Sequence, residues 1–151
     1  MNADDRLIFR GVLLFFLSLL TGLLLVAGPS FVANPRGLLA GHLEAAMNGM
    51  FLMLVGLFFH RLRLSAQQAA ICRGTLTYSA FANWVFTSLA GILGTSDATP
   101  LAGAGHHGSA VAEQLVLIGL VSVALTMVVA VVLLLIGLRG AIASSASQSA
   151  A

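Results

Sequence analysis

Residues 41–50 read Gly41-His42-Leu43-Glu44-Ala45-Ala46-Met47-Asn48-Gly49-Met50, and this stretch opens a long apolar segment of the chain. An imidazole, a carboxylate and an amide fall there within about two helical turns. Such groups are costly in hydrocarbon, so inside a membrane span they usually face the interior of a bundle and mark a functional site. We therefore expect the rest of the chain to supply the scaffold and the partner groups for this one helix.

The composition is that of an integral membrane protein. Of the 151 residues, 59% are hydrophobic and only 8% are charged, whereas soluble domains carry about 25% charged residues. The net charge of +2 comes from seven arginines and five acids, and no basic cluster is dense enough to indicate nucleic-acid binding. Cys72 is the single cysteine, which excludes an intrachain disulfide and a cysteine-rich metal site.

Four apolar segments are each long enough to cross a bilayer core of about 30 Å. They predict an all-α integral membrane protein in which four transmembrane helices form a bundle. The predicted spans are residues 7–28, 38–62, 69–93 and 111–138. Residues 1–140 then form one domain, and the Ala/Ser-rich residues 141–151 are predicted to be a disordered tail. The connector between the first two spans contains the helix breakers Pro29, Asn34 and Pro35.

The placement of the arginines predicts the orientation of the bundle. Only Arg36 falls at one end of a bundle of four spans, and the others, Arg6, Arg10, Arg61, Arg63, Arg73 and Arg139, fall at the opposite end. The positive-inside rule then places both termini in the cytoplasm. His42 would lie on the outer side together with His106, His107 and Glu113, which predicts a single polar site in the outer half of the bundle.

His42 is the candidate metal ligand, because a neutral imidazole binds iron and other transition metals. Gly49 lies seven residues further on and so on nearly the same helix face, which leaves room for a flat macrocycle or for a neighbouring helix. Glu44 and Asn48 share another face. Glu44 could orient a histidine and Asn48 could donate to a substrate oxygen, while the alternative for both is an interhelical hydrogen bond.

A polar stripe at helical spacing, Ser79, Asn83 and Thr87, follows on the third span. Such a stripe either joins helices or forms the wall of a polar cavity. For Ser79 and Thr87 we expect contacts between helices, and for Asn83 we favour the cavity.

The connector before the fourth span carries His106 and His107, and Glu113 opens that span. Adjacent histidines point in different directions, so at most one of them is expected to face a site. Glu113 could take part in proton transfer with that histidine, or it could simply complement the helix dipole.

Taken together, these residues resemble the hydroxylaminobenzene mutase family of small bacterial membrane proteins. The matching segments are Arg10-Gly11-Val12-Leu13-Leu14-Phe15, Asn34-Pro35-Arg36-Gly37, Gly41-His42-Leu43-Glu44, Met47-Asn48-Gly49, Ala82-Asn83-Trp84, and Ala102-Gly103-Ala104-Gly105-His106-His107-Gly108 with Glu113. The resemblance implies an isomerase, an intramolecular hydroxymutase that converts hydroxylaminobenzene to 2-aminophenol. It also implies a multi-pass protein of the bacterial inner membrane and is consistent with nitroaromatic degradation.

A more distant resemblance, to styrene oxide isomerase, centres on His42, on Asn48-Gly49-Met50 and on Asn83. It implies heme b with His42 as the axial ligand of the iron, Asn48 in the pocket, and a homotrimer. Thr87 stands where that family has a catalytic tyrosine, which puts epoxide isomerisation in doubt.

The resemblances imply that the heme iron acts as a Lewis acid on the oxygen of the substrate. The residues then expected to act in catalysis are Asn48, Asn83, Glu113, His106 and His107, and those expected to hold the cofactor are His42, Gly49 and Glu44. Three alternatives remain open at this point: an epoxide isomerase, a non-catalytic heme b protein for electron transfer or sensing, and an accessory subunit without a cofactor.

Overall fold

The computed structural model describes the backbone of residues 3–28 and 30–149 and the side chains of residues 4–28 and 30–142, so the predicted breaker Pro29 lies outside it. The helices are α1 (Ala3–Ala27), α2 (Pro35–Phe58), α3 (Ala66–Leu93), the short α4 (Pro100–Gly103) and α5 (Ala110–Ser149). A 3₁₀ turn, Phe59–Arg61, follows α2. Among the described residues, four helices are long and apolar enough to cross a membrane. The prediction of an all-α protein with four spans is confirmed.

Helices α1, α2 and α3 begin three or four residues before the predicted spans, and α5 begins one residue before its span. For α2 and α3 the reason is that polar capping residues start the helix. Asn34 accepts hydrogen bonds from the backbone N–H groups of Arg36 and Gly37 at the start of α2. Ser65 and Gln68 form a capping box at the start of α3. These caps satisfy backbone N–H groups that a helix leaves unpaired in its first turn, and a hydropathy pattern does not reveal them.

The last helix continues to Ser149 rather than ending near residue 138. Alanine is the strongest helix former and the segment contains no proline, so nothing after Gly140 stops the helix. The tail predicted to be disordered, residues 141–151, is therefore helical as far as Ser149, and residues 150 and 151 lie outside the described chain.

The four spans pack in sequence order: α1 lies against α2, α2 against α3, and α3 against α5. Helices α1 and α3 touch each other only sparsely. Large apolar side chains such as Leu23, Leu57 and Ile118 remain exposed on the outside of the row, as expected for a surface that faces lipid. The chain is a multi-pass membrane protein.

Glycines set the close approach between neighbouring helices. A Cβ atom added at Gly49 would lie 2.8 Å from the carbonyl oxygen of Gly11 and 2.8 Å from the nitrogen of Phe15. A Cβ atom at Gly56 would lie 2.7 Å from Ile8. The small-residue face of α2 is therefore occupied by α1. In this fold Gly49 holds two helices together and leaves no room there for a macrocycle or for a second chain.

We predict that Gly91→Ala strongly destabilises the protein. The added methyl group would overlap the backbone nitrogen of Leu38 and would lie 2.6 Å from the carbonyl carbon of Gly37, so α2 and α3 would have to separate. Overpacking of this kind typically costs about 1–3 kcal/mol. Thermal denaturation in detergent measures the effect.

The matched control is Gly74→Ala on the same helix, because nothing lies within 4 Å of a Cβ atom added there. Alanine in place of an exposed helical glycine should stabilise the protein by about 0.5–1 kcal/mol. Equal melting temperatures for the two variants would show that the Gly37–Gly91 contact does not hold α2 against α3.

Candidate functional site

His42 is held against α1 by Ser18. Its Nδ1 lies 2.8 Å from the backbone carbonyl oxygen of Ser18 and 3.1 Å from the hydroxyl oxygen of the same residue. A carbonyl oxygen only accepts hydrogen bonds, so Nδ1 carries the ring proton and Nε2 keeps its lone pair. The Ser18 hydroxyl in turn donates to the backbone carbonyl oxygen of His42 at 2.8 Å.

The ring of His42 rests on Gly22 of α1. A Cβ atom added at Gly22 would lie 3.0 Å from Cε1 of the ring and 3.1 Å from Nδ1, so only glycine leaves the ring its full space. An imidazole whose Nδ1–H donates to a backbone carbonyl group while Nε2 remains basic is the usual arrangement of a metal-ligating histidine. The surroundings of His42 therefore fit an axial ligand of a heme iron.

Glu44 contacts α3 and does not contact His42. Its Oε2 accepts a hydrogen bond of 2.7 Å from Nδ2 of Asn83, and Oδ1 of Asn83 accepts one of 3.4 Å from Thr87. The expectation that Glu44 orients a histidine is not met. Two residues along a helix turn the side chain through about 200°, so Glu44 faces α3 where His42 faces α1.

Asn48 follows Glu44 by one turn on the same face, and its amide nitrogen is buried without a hydrogen-bond partner among the described residues. A buried donor that stays unpaired costs about 1–3 kcal/mol. Such an atom calls for a specific explanation, and a bound ligand with an acceptor oxygen is one. The hydroxyl groups of Ser88 and Thr95 are likewise buried without a hydrogen-bond partner among the described residues.

Glu113 organises the loop that precedes α5. Its Oε1 accepts from the backbone N–H groups of Gly108 at 2.9 Å and Ser96 at 3.1 Å, and its Oε2 accepts from those of Asp97 at 3.0 Å and Ser96 at 3.1 Å. The side chain is 8% exposed. The carboxylate is thus surrounded by donors that the backbone supplies, which favours a structural role over proton transfer.

Of the two adjacent histidines, His107 is the one that faces this loop. Its Nδ1 lies 3.5 Å from the hydroxyl oxygen of Ser96, although His107 is exposed, as is His106. A possible metal site is formed by three side chains, each of which places one ligand atom within 4.8 Å of the other two: Asp97, His107 and Glu113. Both oxygens of Glu113 already accept backbone N–H groups, so the geometry favours the loop contacts.

The predicted single polar site is divided into separate groups in the described structure. His42 lies between α1 and α2, Glu44 and Asn83 lie between α2 and α3, and Glu113 lies in the first turn of α5, with no hydrogen bond joining these groups among the described residues. Sequence reasoning missed Ser18 and Gly22. Ser18, the single serine of the almost wholly apolar first span, was the available signal.

Comparison with known proteins gives consistent matches over nearly the whole chain. A family profile described as styrene oxide isomerase matches residues 3–139. Hydroxylaminobenzene mutase HabB of Ectopseudomonas oleovorans is 42% identical over 137 residues, which cover 90% of this chain and 81% of the relative. Hydroxylaminobenzene mutase HabA of the same organism is 34% identical over 129 residues, 85% of this chain and 93% of the relative. No solved structure matches significantly.

Proposed function

This chain belongs to the styrene oxide isomerase family. Within that family, we propose that it is a membrane-embedded hydroxylaminobenzene mutase. It is an isomerase. Its substrate would be hydroxylaminobenzene and its product 2-aminophenol. The observation that carries this choice is the 42% identity to a protein named as that mutase, over 90% of the chain.

His42 would hold heme b through Nε2, because Nδ1 is tied to Ser18 at 2.8 Å and Nε2 retains its lone pair. When bound there, the heme would supply an iron centre that polarises the oxygen of the substrate. Gly49 is not part of this site, since α1 fills the space above it. These contacts support His42 as the single ligand that α2 would provide to the iron.

The proposed reaction breaks the N–O bond, forms a C–O bond at the ortho carbon, and moves one proton from that carbon to nitrogen. No electron donor is required, because substrate and product are isomers. Asn48 supplies an unpaired amide N–H that can hold the migrating oxygen. Glu44, positioned by Asn83 at 2.7 Å, is the carboxylate that could accept the ortho proton. Because Glu44 and Asn48 face α3 while His42 contacts α1, they would act on a substrate at the iron held by His42 of a neighbouring copy of the chain. Asn83 is thus a positioning residue, the backbone contacts of Glu113 favour a structural role for it, and the proposed reaction assigns no step to His106 or His107.

An assay of the products tests the proposed function. The purified chain is incubated with hydroxylaminobenzene, and the products are separated by chromatography. We expect 2-aminophenol as the sole aminophenol formed, because an enclosed site keeps the oxygen near the ortho carbon and away from bulk water. A mixture rich in 4-aminophenol, equal to that formed without protein, would contradict the proposal.

Epoxide isomerisation is the second candidate, since the matching family profile bears that name. Thr87 stands where the styrene oxide isomerase family has a catalytic tyrosine, and its hydroxyl already donates to Asn83 at 3.4 Å. It is also 7% exposed. This position therefore offers no free phenol as an acid, and styrene oxide supplied to the same preparation should remain unchanged.

We predict that Asn48→Ala lowers turnover about 100- to 1,000-fold while leaving the fold intact, as for removal of one hydrogen-bond donor at a reacting oxygen. The amide nitrogen donates to nothing in the described structure, so its removal breaks no hydrogen bond of that nitrogen within the protein. Turnover per mole of heme and the melting temperature should be measured together. Loss of stability with normal turnover would assign Asn48 to helix packing.

We also propose that both termini face the cytoplasm of a bacterium and that the chain forms a homotrimer in the inner membrane. The arginine-rich ends support the orientation: Arg10 and Arg73 line one crevice, and the backbone of Arg63 pairs with Gly137 at 3.1 Å. The ends of α1, α2, α3 and α5 that carry arginine thus lie together. Since Gly49 and Gly56 pack within the chain, the trimer contacts must use other surfaces.

A further inference from the structure

A crevice of about 340 Å³ opens at the arginine-rich end of the bundle, between α1 and α3. Its lining residues are Arg6, Arg10, Ala70, Arg73 and Gly74. We propose that this crevice binds the phosphate headgroup of an anionic glycerophospholipid, with an acyl chain in the groove between α1 and α3. The inference does not depend on the substrate of the enzyme.

The charge of the crevice calls for an anion. Its lining, within the described part of the chain, carries three guanidinium groups and no carboxylate. Asp4 lies beside it and approaches Arg73 at 3.7 Å, which leaves the cluster with an excess of positive charge. A guanidinium group presents a planar fork of donors that matches two phosphate oxygens at once. A bound phosphate would relieve the repulsion among the arginines.

Two of the arginines are fixed in place by neighbouring side chains. The Nη1 atom of Arg10 donates to the hydroxyl group of Thr77 at 3.1 Å, which spans the groove from α1 to α3. The guanidinium group of Arg73 lies 4.8 Å from the centre of the Phe59 ring, a cation–π contact. Because these contacts already restrict the side chains, an anion binds with a smaller loss of side-chain entropy.

The surroundings favour a lipid over a free phosphate ion. Basic residues at the ends of membrane spans lie at the level of the headgroups. Along α1 the face that carries Arg6 and Arg10 continues to Leu13, which is 39% exposed. The sparse contact between α1 and α3 leaves the groove between them open. A cationic pocket that leads into an apolar groove matches the two parts of a phospholipid.

The test uses the full chain, purified and stripped of lipid in detergent. Phosphatidylglycerol, phosphatidylcholine or sodium phosphate is added, and retention is followed by native mass spectrometry alongside the melting temperature. We expect phosphatidylglycerol to be retained and to raise the melting temperature, because it binds the folded state. Phosphatidylcholine and sodium phosphate should do neither.

Variants locate the lipid in the crevice. Arg10→Gln and Arg73→Gln should each weaken retention of phosphatidylglycerol about fivefold, as expected for one basic residue near anionic lipid. Gly74→Leu should abolish retention with all three arginines present, because a side chain at Gly74 enters open space. The matched control is Arg61→Gln, an exposed arginine at the same end that does not line the crevice.

Three results would overturn the proposal. Equal retention of phosphatidylglycerol and phosphatidylcholine would show that charge is not recognised. A rise in melting temperature with sodium phosphate alone, equal to that with phosphatidylglycerol, would assign the crevice to a free anion. Unchanged retention in a folded Gly74→Leu variant would place the lipid elsewhere.

Discussion

His42→Ala should abolish heme binding and reduce mutase turnover to the background rate. The imidazole is the only proposed link between the protein and the iron. Removing a residue that hydrogen-bonds to a metal ligand already lowers the affinity for the metal about 10- to 100-fold. Removing the ligand itself should therefore lower the affinity for heme further. The measurement is the ratio of Soret to protein absorbance after purification from cells supplied with heme, together with the rate of 2-aminophenol formation.

Two controls separate ligation from folding. His60→Ala removes an exposed histidine beyond the end of α2 and should leave heme content and turnover unchanged. Ser18→Ala keeps the backbone carbonyl oxygen that lies 2.8 Å from Nδ1 of His42 and loses only the hydroxyl contact, so heme should be retained with at most about tenfold weaker binding. A folded His42→Ala protein with full heme and an unaltered spectrum would exclude His42 as the ligand.

The number and type of the spans could be predicted from the sequence because each one is a long apolar run. Their first turns could not, because capping by Asn34 and by Ser65 with Gln68 draws polar residues into the helices. The role of Gly49 could not be predicted from the sequence either. A small-residue face accepts a macrocycle or a helix equally well, and only the position of Gly11 in α1 decides between them.

The residues of the candidate site could be selected from the sequence, but their contacts could not be predicted. His42 and Asn48 stand out because polar groups are rare in apolar helices. Their partners depend on the register between helices, which one sequence does not contain: Ser18 and His42 are 24 positions apart, and Glu44 and Asn83 are 39 apart. The pairing of Glu44 with Asn83, instead of with the nearby His42, follows from that register.

Each of the three interfaces between successive spans carries at least one polar contact that also fixes its register. Ser18 and His42 join α1 to α2, Glu44 and Asn83 join α2 to α3, and Ser79 donates to Thr126 of α5 at 3.0 Å. Hydrogen bonds of this kind typically contribute about 0.6 kcal/mol in membrane helices. Two of these three contacts include a proposed site residue, so side chains that hold the helices together also position the chemistry.

Glu113→Ala should lower the melting temperature sharply while leaving the chemistry of the remaining folded protein intact. The backbone N–H groups of Ser96, Asp97 and Gly108 all donate to this one carboxylate, so removing it leaves these three donors without that partner beside the start of α5. Unpaired donors away from water are costly, and a fall in melting temperature on the order of 10 °C is expected. Denaturation followed by near-ultraviolet circular dichroism in detergent measures it.

Glu113→Gln distinguishes this structural role from proton transfer. Glutamine keeps one carbonyl oxygen that accepts from some of the backbone N–H groups, but its NH₂ group faces the others and cannot accept from them. The melting temperature of the glutamine variant should therefore lie between those of the alanine variant and the native protein. If Glu113 only organises the loop, turnover per folded molecule should be unchanged in both variants. On heating, each variant should then lose turnover only at the temperature at which it unfolds. If Glu113 transferred protons, the glutamine variant would instead fold as stably as the native chain and lose turnover at low temperature. That second pattern would return Glu113, with His107 beside it, to the catalytic machinery.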